Sequence, residues 1–286
     1  MNRITHLGRP LSWQYLPHRL MIIFSLISLL VLFAVERFAC RASVVQALGQ
    51  GMIIFLAVFL AWAVSREFDP ANEYAAFVAP PLVLVARLFG LTPSLLPILF
   101  LLLLARLINQ STGRAPTLAD TLLLVLLGVL LMLDGYLAAL LILSVAFLLN
   151  TRVSPKSNGD RLKALLAVVV FGGIWRIAGP IDWAIQFEDA RLGFVFLCLV
   201  GFTAWITHPT RQLPILADTE THSLRPLRIL FAQLIIAIFL IIHWIVGDPE
   251  ATLALYPVVF SYAGIALYQI VVRFHNAFSD ARSFKQ

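Results

Sequence analysis

The chain reads as an all-α protein, a polytopic transmembrane helix bundle of about ten helices with both termini cytoplasmic, and three observations lead there. Hydrophobic residues make up 60% of the 286-residue sequence and charged residues only 13%, with a mean hydropathy of +0.91. A soluble domain carries about a quarter charged residues. Apolar runs of membrane-crossing length recur from Leu20 almost to the C-terminus, and the polar gaps are too short to hold a soluble domain. The basic residues are distributed unevenly among those gaps. A single integral membrane domain over 1–286 follows.

The first span covers roughly 20–35, after Arg3, Arg9 and Arg19. Cys40 follows it, but Glu36 and Arg37 intrude where a lipid-modified signal stays small and apolar, and no A-x-A-like cleavage site is present. This run is therefore a helix of the mature protein. The second span, 46–64, leads into the charged stretch SREFDPANEYAAFVAPP at 65–81, within which the third, 74–90, begins. The fourth is 94–108, the fifth 117–133 and the sixth 135–149, with short turns around Gly90 and Asp134 separating two of the neighbouring pairs. After the hydrophilic linker TRVSPKSNGDRLK at 151–163 come 163–180, 191–207, 227–246 and 252–272. Several of these fall short of the about 20 residues a straight helix needs to cross a bilayer, which predicts local thinning or tilted packing.

If the N-terminal arginines are cytoplasmic, sixteen of the twenty-one bases lie on that side, among them Arg66, Arg106, Arg114, Arg152, Lys156 and Arg228. The opposite side receives Arg37, Arg41 and Arg191, with Arg87 and Arg176 near outer helix ends, while the acids divide almost evenly. A bias confined to the bases is the pattern of the positive-inside rule. The compact loops fit a multi-pass protein of a bacterial inner (cytoplasmic) membrane.

The linker is read as dividing the chain into halves, 1–150 and 163–286, of five helices each. Two odd-numbered halves have opposite orientations, the plan of inverted-repeat transporters. In length and helix count, though in no motif, this architecture resembles the drug/metabolite transporter superfamily. Aligning the halves by eye pairs only AWAVSREFDP with IWRIAGPIDW.

Candidate functional residues concentrate at one membrane edge. Arg66, Glu67, Asp69 and Glu73 lie between the second and third spans; Arg106, Asn109, Arg114 and Asp120 lie between the fourth and fifth. Arginines beside amide and hydroxyl groups suit a phosphate or carboxylate, and the acids suit a proton or a metal. The simpler reading is local: Asp69-Pro70 starts a helix, Thr112-Gly113 ends one, and Thr117 with Asp120 starts the next. Pro80 and Pro81 are expected to break the third helix, freeing carbonyls that must meet other helices or line a cavity. Asn109-Gln110-Ser111 matches a glycosylation acceptor on the wrong side of the membrane for its use.

Elsewhere the signals are structural. Arg87 and Arg176 are expected to snorkel to an interface, His243 to be a packing residue, and Trp175, Trp183, Trp205 and Trp244 to anchor at interfaces. Gly172, Gly173 and Gly264 are expected to let helices approach closely. Asp218, Glu220 and His222 could be read as metal ligands, but their alternation on a polar loop reads more simply as a solvated segment, and Cys40 and Cys198 have no metal-ligand spacing. No metal or cofactor is expected, and the scattered bases form no nucleic-acid-binding tract.

The expected partners are membrane lipids, with a homo-oligomer or a membrane partner subunit left open. Three functions fit. The first is a carrier for a small amphipathic or lipid-like molecule, since the midplane is too dry for a sugar or amino acid. The second is an integral-membrane enzyme acting on a lipid phosphate at the cytoplasmic face. For it, Arg66, Arg106 and Arg114 would hold phosphate, while Glu67, Asp69 or Glu73 would serve as base or bind magnesium. The spacing E-x-D-x-x-x-E loosely resembles the aspartate-rich motifs of membrane prenyltransferases, without their second motif. The third is a non-catalytic subunit or scaffold.

Overall fold

The computed structural model describes residues 5–8, 11–111, 116–153, 159–178, 190–207, 226–246 and 249–283. Its α-helices are α1 (Leu16–Ala34), α2 (Val44–Phe68), α3 (Ala79–Leu88), α4 (Leu95–Asn109), α5 (Leu118–Leu133), α6 (Ala139–Val153), α7 (Gly159–Ala178), α8 (Ala190–Thr207), α9 (Pro226–Val246), α10 (Pro249–Leu253) and α11 (Tyr256–Ser283). No strand occurs among the described residues. Four segments are long and apolar enough to cross a membrane: Leu16–Ala39, Val44–Phe68, Pro226–Ile245 and Tyr256–Asn276, of 24, 25, 20 and 21 residues. Apolar stretches of α4, α5, α6 and α7 are shorter.

The outward faces belong in lipid. On α1, Leu20, Ile23, Leu26, Ile27 and Leu30 are exposed, whereas Ser25 and Ser28 are fully buried. A water-soluble helix would have the reverse arrangement. In hydrocarbon no hydrophobic force drives apolar faces inward, and small residues that permit close backbone contact decide the interface. Gly51 of α2 supplies that contact, because a Cβ there would lie 3.0 Å from the carbonyl oxygen of Leu29.

Helix α2 is the hub, packing against α1, α3, α4, α9 and α11. Its buried positions include the small residues Ala47, Gly51, Ala57, Ala61, Ala63 and Ser65. Larger side chains fill the layer behind: Phe68 lies 4.5 Å from Tyr262 between ring centroids, and Phe100 6.3 Å from Phe239.

Some local expectations change. Residues 73–77 form a 3₁₀ turn, and Pro80 and Pro81 sit in the first turn of α3, so the chain breaks ahead of the prolines rather than at them. Proline is at home there because first-turn N–H groups have no intrahelical partner. Gly264 of α11 packs against this junction, its hypothetical Cβ being 3.0 Å from the Ala79 backbone nitrogen. Gly172 and Gly173 have nothing within 4 Å of that position among the described residues. The linker does not split the chain five and five: among the described residues six helices, α1 to α6, precede it. Halving ten spans would instead place the division at the turn between α5 and α6, around Asp134 and Gly135.

Candidate functional site

The C-terminal end of α2 carries a polar cluster inside an apolar bundle. An α-helix leaves its last four carbonyls without intrahelical donors, and in a membrane no bulk water replaces them. Here side chains from other helices fill that role. Asn109 of α4 donates Nδ2–H to the Glu67 carbonyl at 2.8 Å, and Gln233 of α9 donates Nε2–H to the Phe68 carbonyl at 2.8 Å. Helix α4 is finished the same way, with Arg228 of α9 donating to the Ile108 carbonyl at 3.1 Å and to Asn150 Oδ1 at 3.4 Å. Gln110, in the left-handed conformation at φ 49, donates to that same Asn150 oxygen at 2.8 Å.

Within this cap sit the carboxylates. Glu67 is 1% exposed and accepts from Arg106 Nε at 3.2 Å, Asn109 Nδ2 at 3.3 Å and Ser111 Oγ at 3.2 Å. Removing a carboxylate from water costs several kcal/mol, roughly, unless an opposite charge and hydrogen bonds replace hydration, and all of these are supplied here. The helical spacing of Arg106 and Asn109 does put both on the face that reaches Glu67. Asp69, also buried, occupies the C-cap position of α2, its N–H bonded to the Ser65 carbonyl at 3.0 Å. Its carboxylate accepts from Asn72 at 3.0 Å and from Gln269 of α11 at 2.7 Å, so it ends α2 instead of starting the next helix.

Arg66 and Glu73 lie apart from this cluster. Arg66 donates to the Tyr15 hydroxyl at 3.1 Å, pairs with Glu73 at 3.3 Å, and places its guanidinium 5.8 Å from the Tyr15 ring centre and 5.9 Å from that of Trp62. Burial, with Glu73 beside it, raises the Tyr15 phenol above its ordinary range. Asp120 closes a capping box with Thr117, whose backbone nitrogen lies 2.8 Å from the carboxylate. Arg114 lies outside the described residues, as do Thr112, Gly113, Asp218, Glu220, His222 and the linker residue Lys156. The side chains of Arg176, Trp175 and Trp183 are likewise outside them.

Two features had no counterpart in the sequence reading. Residues Thr5 to Leu7 fold back onto the cluster: Arg106 Nη1 donates to the Leu7 carbonyl at 3.1 Å, while Asp120 accepts the His6 N–H at 3.0 Å and the Thr5 hydroxyl. Isolated polar residues ahead of a first span carry no periodic signal. At the other end of α2, Arg87 does not snorkel; it donates to Glu36 Oε1 at 2.8 Å and to Gln50 Oε1 at 2.9 Å. Glu36 stands on a π-helical turn, Val35–Ala39, that continues α1. A π-turn shifts side-chain register and is a common way to re-aim one residue.

His243 packs face to face with Tyr136, ring centres 4.4 Å apart, as its sequence context suggests. Trp205 is exposed and stacks under Arg273 at 5.6 Å. No known family, curated protein or solved structure matches the chain.

Proposed function

We propose that the protein is a multi-pass carrier of the bacterial inner membrane for a small amphipathic or lipid-like molecule, threaded ten times with both termini cytoplasmic. The observation that carries the reading is the closure of α2 at each end by a separate arginine–glutamate pair. Arg106 with Glu67 joins α2 to α4 at one end; Arg87 with Glu36, bridged to Gln50 of α2, joins α3 and the end of α1 at the other. Alternating access needs two closures that open in turn, and ion pairs between different helices can separate without unfolding either helix. The apolar stretch between Gln50 and Ser65 favours an amphiphile over a sugar or amino acid.

A scaffold or partner subunit is the second reading, favoured by the internal saturation of Glu67 and Asp69. The lipid-phosphate enzyme has less support, since a general base or magnesium ligand would first have to leave those donors. The test is reconstitution into vesicles carrying a fluorescent-headgroup phospholipid, followed by quenching from outside. A carrier of lipid-like molecules accelerates loss of the protected inner-leaflet signal over protein-free vesicles, and Glu67→Gln alters that rate. Rates equal to protein-free vesicles for phospholipid and for a single-chain amphiphile would move the assignment to the scaffold.

A further inference from the structure

The segment Thr5–Gly8 lies ahead of the first helix and yet reaches the most polar part of the interior. Leu7 is 4% exposed and belongs to the continuous apolar core. Its carbonyl accepts from Arg106 at 3.1 Å, and the His6 N–H and Thr5 hydroxyl donate to Asp120. The segment thus presents one acceptor, two donors and one branched apolar group to a matching surface.

Both charged groups keep their own partners when the segment is absent. Arg106 retains Glu67, and Asp120 retains the N–H and hydroxyl of Thr117. Departure therefore strands no buried charge, which is the event that makes removal of an ion-pair partner so destabilising. A strap held this way is detachable, and what it uncovers is a cation, an anion and an apolar slot in fixed relation.

We infer that Thr5–Leu7 is the resident occupant of a ligand site formed by Arg106, Asp120 and the adjoining apolar core, and that the site takes, in exchange, an amide-bearing amphiphile with a leucine-sized group. The carbonyl of such a ligand faces Arg106, its N–H faces Asp120, and its branched chain fills the position of Leu7. The proposal stands whether or not the protein is a carrier.

The experiment is residue-resolved hydrogen exchange on the full-length chain in nanodiscs. The His6 amide is expected to exchange at least about tenfold more slowly than that of Leu11, whose side chain is exposed. Thr5→Val removes a strap-side donor and leaves the α5 capping box intact; it should erase most of that protection. Because a tethered segment acts at an effective concentration of order millimolar, the probe acetyl-THLG-amide is titrated to about that level and above on the wild-type protein. It should raise His6 exchange saturably, whereas the same peptide with Asp for Leu should not. Equal exchange at His6 and Leu11 overturns the strap. Protection that survives Thr5→Val, or a His6 rate that the peptide leaves unchanged, overturns the exchangeable site.

Discussion

The two ends of α2 solve one problem with different means. At its C-terminal end, carbonyls and carboxylates are buried together, and side chains from α4, α9 and α11, with Asn72 and Ser111 from the neighbouring turns, supply the donors. At its N-terminal end, Ser43 caps the helix with its own exposed capping box to Gln46, and the ion pair nearby is Arg87 with Glu36. Exposed aromatics, Phe38 at 78% and Phe89 at 86%, flank that second end. The C-terminal end is thus cross-linked through long-range polar contacts, and the N-terminal end is finished locally. In a low-dielectric interior the first arrangement holds firmly while intact and fails badly when one member is removed; the second degrades gently.

Breaking the cross-linked end should have the largest effect. Glu67→Ala removes the carboxylate shared by Arg106, Asn109 and Ser111, and a loss of about 3 kcal/mol or more is expected from thermal unfolding in nanodiscs. Next comes the packing beside that end: Gly264→Val drives a side chain into the Ala79 backbone and should cost about 1–3 kcal/mol in the same assay. At the other end, Glu36→Gln keeps the shape and removes the charge of a partly exposed pair, so a change of no more than about 1 kcal/mol is expected. Smallest is Ser43→Ala, which deletes an exposed N-cap for about 0.5–1 kcal/mol, measurable as faster exchange confined to the first turn of α2. An order reversed between Glu67 and Glu36 would remove the distinction between the ends.

Sequence reading reached the membrane character and the helix positions because both rest on local signals, apolar run length and turn residues. It found Thr117 with Asp120 because a capping box spans four residues. It placed Arg106 and Asn109 on one face from helical periodicity alone, but the common target, Glu67, lies about forty positions away in sequence and has no local mark. Gln233, Gln269 and Asn150 went unremarked for the same reason: an isolated amide within an apolar run declares itself only when the carbonyl it serves is known. The division at the linker misled because hydrophilicity marks a loop and says nothing of how many helices precede it. Arg87 was expected to reach for water because Glu36, its acceptor, is presented by a π-turn that no sequence period announces.

The most direct test of the central claim is a double-mutant cycle between Glu67 and Arg106, using Glu67→Gln, Arg106→Gln and the double variant, read by unfolding in nanodiscs. A cross-link that closes the end of α2 predicts that the double variant loses less than the sum of the singles, with a coupling of about 1–3 kcal/mol. Additive losses, with coupling within about 0.5 kcal/mol of zero, would contradict it and reduce the cluster to independent caps.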